Sequence, residues 1–280
     1  MTAGDPVWRV AMARSWLFVP GDRPDRFAKA AESGADVVVL DLEDAVHEDD
    51  KGRARGNAVD WLADGNQACV RINGAATSWF DDDLPALAPL GDGRLIAVML
   101  PKAESRGDVD RVAAHLPEPV AICPLIETAL GVLRADEVAA ASRGTRLVFG
   151  SLDLMADLGT GGEGIELLHS RSQVVVASRA LGLPAPVDGV TTALGDQARL
   201  AKDVRTARGL GFGGKLCIHP DQVEAVNRGM MPAADELRWA RRVLAAAGGG
   251  GAVALDGEMI DRPRIERARA IVARADGAGA

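Results

Sequence analysis

The run VVVLDLED, residues 37–44, decides the fold: four apolar positions give way abruptly to Asp41, Glu43 and Asp44. A strand that is apolar on both faces belongs to a buried parallel sheet, and charge at its last residues marks where the chain leaves the core. The same edge recurs along the sequence. ACVRIN (68–73) ends on Arg71, LIAVMLPK (95–102) on Lys102, AICPLIET (121–128) on Glu127 and RLVFGSLDL (146–154) on Asp153. Three further runs, SWLFVP (15–20), PVDGV (186–190) and GKLCIHP (214–220), bring the series to eight. Charges that recur at the same end of successive strands converge on one face. In an eight-stranded α/β barrel that face carries the active site.

The stretches between the runs read as amphipathic helices, at residues 24–33, 52–62, 109–115, 130–141, 172–181 and 196–210. Gly34, Gly182 and Gly211 stand where a left-handed residue would end three of them. Alternating strands and helices at this spacing are what a parallel sheet with right-handed crossovers requires. An open doubly wound sheet would need a GxGxxG turn after its first strand, and FVPGDRPDR is not that pattern. The expected architecture is an N-terminal tail over residues 1–13, a TIM barrel over 14–230 and a C-terminal helical extension over 231–275. Gly248 to Gly251 read as a hinge, and residues 276–280 as a disordered tail. The extension beyond the hinge is either a lid or arm docking on a neighbour, or a cap on its own barrel.

Composition removes several function classes. A net charge of -8 and a pI near 5.1 leave no basic stripe for nucleic acid. The N-terminus lacks a signal-like apolar region, and no stretch approaches the roughly 18 apolar residues of a membrane span, so a soluble cytoplasmic protein is expected. Cys69, Cys123 and Cys217 are odd in number and show no CxxC spacing, which suits small hydrophobes in a reduced core. Tyrosine is absent, so a tyrosine acid or base is excluded.

Glu127 and Asp153 close neighbouring strands, where two carboxylates repel unless a proton or cation lies between them. Oxygen-only ligands with no His or Cys pair nearby favour a hard ion such as Mg²⁺; the competing reading makes them helix N-caps or surface acids. Arg71 has the fork that holds a carboxylate through two hydrogen bonds, and an ion pair with Glu43 or Asp44 is compatible with that role. Asp41 and Glu43 share one face of their strand. Lys102 admits a weak Schiff-base reading, and His219 reads as a loop-fixing residue rather than a base. The glycine-rich GTGGEG (159–164) allows close backbone approach without specifying a ligand.

RSWLFVPGDRPDRFAKA, VVVLDLEDAV, VRIN, VMLPKAES, PLIETALG, FGSLDLMADLG, KLCIHPDQ and GEMIDRP occur in this order from Arg14 onward. Together they resemble the citrate lyase beta-subunit-like family, within the HpcH/HpaI aldolase superfamily that also contains malyl-CoA lyases. The resemblance implies a TIM barrel with a C-terminal extension, assembled as trimers or hexamers. It implies Mg²⁺-dependent cleavage or formation of a carbon–carbon bond in 3-hydroxyacyl-CoA thioesters, giving acetyl-CoA and a 2-oxo acid such as oxaloacetate. On the matching positions Glu127 and Asp153 become the metal ligands. Arg71 holds the oxo-acid carboxylate, Leu152 lines the substrate site, and Glu43 and Asp44 support it. Asp261 becomes the acid/base on the extension, with Arg14 and Arg26 as contacts to CoA. A thioesterase of the same family, a subunit of a citrate lyase complex and a CoA-independent 2-oxo acid aldolase are the alternatives.

Overall fold

The computed structural model describes residues 6–141, 146–247, 253–255 and 258–277. Eight parallel strands form a closed barrel: β1 (Ser15–Pro20), β2 (Val37–Asp41), β3 (Ala68–Arg71), β4 (Leu95–Leu100), β5 (Ala121–Ile126), β6 (Val148–Phe149), β7 (Val187–Asp188) and β8 (Gly214–Cys217). Each strand pairs with the next, and β8 returns to β1 through Ser15↔Lys215, Trp16↔Leu216 and Leu17↔Cys217. The wall is uneven. β1 and β2 share five residue pairs, from Trp16↔Val37 to Pro20↔Asp41, whereas β6 meets β7 at Val148↔Val187 alone.

Strand parity explains how an apolar barrel ends in charge. Side chains alternate across a strand, so residues two apart share a face. Trp16, Val37, Val39, Cys69, Ala97, Met99, Ala121, Cys123, Leu125, Val148, Val187 and Leu216 are buried together in one cluster to which every strand contributes. The same parity, continued to the strand ends, brings Asp41 after Val39, Arg71 after Cys69, and Glu127 after Leu125. The apolar packing that fixes the strands therefore also aims these three side chains. The cysteines are buried and free, as expected of small core residues. Burial pushes the Cys123 and Cys217 thiols up to about 12.

The N-terminal residues form more than a tail. A helix at Pro6–Met12 contributes buried Val10 to the barrel's apolar cluster, with Ala13 following it. Fully buried Arg146 donates from Nη1 to the carbonyls of Val10 (2.9 Å) and Ala13 (2.6 Å), fastening this segment to the base of the barrel. Helices at Ser78–Leu87, Ser151–Leu158 and Val223–Met230 add to those expected. The helix at Leu168–Ala180 begins four residues earlier than its sequence reading.

Residues from Arg228 onward form a second compact unit. Its helices Ala234–Ala246 and Arg262–Gly277 bury Ala240, Val243, Ile260 and Ala268 together. The Arg267 guanidinium lies 5.3 Å from the Trp239 ring centre. β9 (Val253–Leu255) and β10 (Glu258–Ile260) are an antiparallel pair. The expected hinge, Gly248 to Gly251, lies outside the described residues. The last helix runs to Gly277, so the first two residues of the expected disordered tail are helical; residues 278–280 lie outside the description.

At the N-terminal ends of β1 and β2, Asp36 accepts hydrogen bonds from the Arg14 amide (2.7 Å), Nε (2.8 Å) and Nη2 (2.9 Å). Burial opposes the Asp36 charge, but the Arg14 bonds outweigh it and hold the carboxyl below its ordinary range. A depressed carboxyl stabilises the fold above its unfolded pKa of about 4 and loses that contribution as pH falls through the folded value. Asp36→Asn is expected to cost about 1–2 kcal/mol at pH 7, given partial exposure. Urea denaturation at pH 7 and at pH 3 checks it: the gap to the parent protein should close in acid.

Candidate active site

The C-terminal mouth of the barrel is built around one ion pair. Asp41, the last residue of β2, accepts from Arg71 Nε (2.7 Å) and Nη2 (2.6 Å) across the β2–β3 register Asp41↔Arg71. The same carboxylate accepts the amides of Glu43 (2.9 Å) and Ala45 (3.3 Å), which folds the LED turn back over the strand end. Buried Lys51 secures the other side of that turn, donating to the carbonyls of Leu42 (2.8 Å) and Glu43 (2.7 Å). The Arg71 guanidinium also lies 4.8 Å from the Phe18 ring centre. Burial opposes its charge, but Asp41, Glu43 and Glu127 raise the pKa well above the ordinary arginine value, so it stays a cation.

The expected ion pairing of Arg71 with Glu43 and Asp44 is present, at 2.9 and 3.9 Å, and Asp41 adds a third partner. Asp41 occupies its Nε/Nη2 edge. Nη1 remains, 2.9 Å from Glu43 Oε2, an oxygen that is buried yet accepts no hydrogen bond. Sequence parity placed Asp41 on the right face but gave no reason to assign it the arginine.

Lys102 also has a role that its sequence context did not disclose. Its ammonium lies 2.5 Å from Glu43 Oε1, 3.9 Å from Asp44 Oδ2, 4.0 Å from Glu127 Oε1 and 3.9 Å from Asp153 Oδ1. Burial lowers its pKa, but the Glu43 hydrogen bond and the surrounding carboxylates raise it overall. An ammonium so held is no nucleophile, and the Schiff-base reading falls.

Glu127 follows β5 directly and is 1% exposed. The Lys102 amide donates to its Oε1 at 2.9 Å. Burial first, then the charges of Asp153 and Glu43, push its carboxyl up to about 8 against Arg71 and Lys102. Asp153 is not at a strand end. β6 stops at Phe149, Gly150 bridges, and Asp153 stands in the first turn of the helix Ser151–Leu158. Glu127 and Asp153 still reach the same ammonium, so the helix start delivers what the strand end was expected to deliver.

Asp41, Arg71, Glu127, Leu152 and Asp153 line a cavity of about 410 Å³ whose apolar wall includes Phe18, Leu125 and Leu216. Asp44 is at its edge and exposed. Arg26 is exposed in the loop after β1, on this end of the barrel, and forms no ion pair among the described residues. Arg14 is at the opposite end of β1 and committed to Asp36, away from the mouth where a contact to CoA was expected of it. His219 is exposed and its Nδ1 accepts the Asp221 amide at 3.2 Å, the loop-fixing role expected of it. Asp261 belongs to the second unit, exposed, where its Oδ1 accepts the Arg264 amide at 3.1 Å and caps the last helix.

The charge balance tests the fit to a metal. Five carboxylates (Asp41, Glu43, Asp44, Glu127 and Asp153) share two cations, Arg71 and Lys102. Among the described residues no group of three or more Asp, Glu, His or Cys side chains is arranged as a metal cage. Two hard carboxylates beside an open cavity suit Mg²⁺, which binds through one or two and keeps waters or ligand oxygens elsewhere. A divalent ion would also relieve the repulsion that raises Glu127.

Gly150 sets where the Glu127 carboxylate can stand. A Cβ at Gly150 would meet Glu127 Oε2 at 2.5 Å and its Cβ at 2.6 Å. Gly150→Ala is expected to displace that carboxylate and weaken Mg²⁺ binding about 10- to 100-fold, with the far-ultraviolet circular dichroism unchanged. Isothermal titration calorimetry checks it.

The profile of the HpcH/HpaI aldolase/citrate lyase family matches residues 14–220. The citrate lyase subunit beta-like protein of Mycobacterium tuberculosis is 40% identical over 273 residues, covering 95% of this chain and 96% of its own. A (3S)-malyl-CoA thioesterase of Cereibacter sphaeroides is 34% identical over 278 residues, covering 95% and 96%. The structure of CitE from Mycobacterium tuberculosis in complex with magnesium, acetoacetate and coenzyme A superposes with a TM-score of 0.83 at 39% identity, covering 95% of this chain and 99% of that one. The chain belongs to the HpcH/HpaI aldolase/citrate lyase family.

Proposed function

We propose that this protein is a Mg²⁺-dependent carbon–carbon lyase that cleaves, or forms, a 3-hydroxyacyl-CoA thioester such as citramalyl-, malyl- or citryl-CoA. The observation that carries the reading is the Glu127–Asp153 pair, two carboxylates brought to one cation beside Arg71 at the barrel mouth. Magnesium in the complex of the 39% identical neighbour supports the choice of ion.

In this reading Glu127 and Asp153 hold the metal, which when bound supplies Lewis-acid polarisation of the acid's oxygens. Arg71, kept cationic and oriented by Asp41, offers Nη1 to the acid's carboxylate. Glu43 and Asp44 orient the two cations, and Leu152 lies against the acyl portion. The 3-hydroxyl gives up its proton to solvent water, which returns one to Asp261 after that acid has been used, and its carbon becomes a carbonyl as the bond to the thioester's α-carbon breaks. The electron pair of that bond forms the enolate of acetyl-CoA, and Asp261 protonates it at carbon. In the synthetic direction the same carboxylate removes the methyl proton. The extension that carries Asp261 would serve as a lid or arm in a trimer or hexamer, and exposed Arg26 would meet the CoA; both parts of the proposal rest on the family resemblance. Among the described residues no helix is long and apolar enough to cross a membrane, in keeping with the proposed cytoplasmic setting.

A thioesterase acting on the same class of substrate is the second reading, favoured by the 34% identical malyl-CoA thioesterase. The two differ in products. A panel of the three thioesters with and without EDTA should yield acetyl-CoA and the 2-oxo acid, with release abolished by the chelator. Free CoA and a hydroxy acid would instead establish the thioesterase. Activity indifferent to EDTA would overturn the metal reading.

Asp261→Asn tests the acid/base. Asparagine caps a helix as well as aspartate does, so the second unit should remain folded. Turnover should fall about 10²- to 10⁴-fold while Mg²⁺ affinity stays at the parent value. Unchanged turnover would remove Asp261 from the chemistry.

A further inference from the structure

Lys102 combines two unusual features. It is the one non-glycine residue with positive φ among the described residues, at 50°. It also extends its ammonium toward four carboxylates belonging to three separate segments of the barrel mouth. A left-handed backbone at a residue with a Cβ is disfavoured and persists only where its surroundings enforce it. Here the Lys102 amide donates to Glu127 Oε1 at 2.9 Å, and the next amide, Ala103, donates to the Leu125 carbonyl at 3.2 Å. The turn thus points the backbone N–H into one member of the candidate metal pair while the side chain curls back over both. A lysine merely marking the end of β4 would have no need of this geometry.

The ammonium and a divalent ion would draw on the same oxygens. With Lys102 in place the cluster is partly neutralised before any metal arrives, and each carboxylate has reason to stay near its neighbours. We propose that Lys102 is a built-in counter-cation, holding Glu43, Asp44, Glu127 and Asp153 together in the metal-free protein and competing with the divalent ion for them. The inference rests on the metal reading above and deepens it, because it makes metal affinity a difference between two cations rather than a property of Glu127 and Asp153 alone. Lys102 is a positioning residue in this account.

Calorimetric Mg²⁺ titration of the full chain and of Lys102→Asn, Lys102→Met and Lys102→Arg tests the inference. Asparagine tolerates the left-handed backbone and methionine preserves much of the side-chain volume, so the neutral variants probe charge by two routes. Both should bind Mg²⁺ about tenfold or more tightly than the parent, since a like charge some 4 Å from the ligands has been removed. Both should also show a larger Mg²⁺-induced rise in melting temperature, and Lys102→Arg should resemble the parent. Neutral variants with equal or weaker affinity would overturn the inference alone. A parent protein that takes up no Mg²⁺ would overturn the metal reading and this inference with it, and Glu127→Gln supplies the control for that outcome.

Discussion

The bidentate bond between Asp41 and Arg71 governs the mouth of this barrel. It joins the last residues of two adjacent strands at 2.6–2.7 Å, and the same aspartate collects the amides of Glu43 and Ala45. Removing Arg71 would leave the buried Asp41 carboxylate without its cation, a change far costlier than the net worth of the pair. With the pair intact, the arginine has one orientation and the LED turn has one path. Glu43 can then face both Arg71 and Lys102, and the acids across the barrel meet a fixed cationic boundary.

The remaining electrostatics follow from an excess of negative charge in a place of low polarity. Carboxylates as buried as Glu43 and Glu127 resist ionisation, and both are raised, burial being the first cause in each case. Arg71 and Lys102, with Lys51 beneath the turn, do not cancel five acids. This incompleteness is what a binding site requires: a fully neutralised cluster would have little affinity for an added ion, and one with no cation at all would not hold its shape. Gly150 and the left-handed turn at Lys102 are the backbone devices that let these groups approach so closely.

Much of the architecture was legible because burial on both faces leaves an unmistakable apolar run, and four of the eight strands, β1, β2, β4 and β5, have one of four residues or more. Glu127 was legible as the charge that closes the fifth run, and alternation along the second placed Asp41 and Glu43 on one face. Asp153 was identified as a candidate although its secondary structure was misread, since a strand of two residues merges into the following helix without a break in hydrophobicity. Helix Pro6–Met12 was hidden by its shortness; its cohesion comes from Arg146, far away in sequence. Arg14 and Lys102 expose the main limit. Charge type was readable, but which partner claims a charge depends on three-dimensional neighbours: Asp36 for one, four acids for the other.

The single pairing between β6 and β7 gives the barrel an asymmetric stave joint. Hydrogen-bonded rungs are densest from β1 through β5, the arc bearing Arg71 and Glu127, and sparse where the chain goes on to Asp153. Local opening is cheapest where such bonds are fewest. The arginine and glutamate follow strands of the densely paired arc, and the aspartate follows β6, one of the two strands with the fewest pairings.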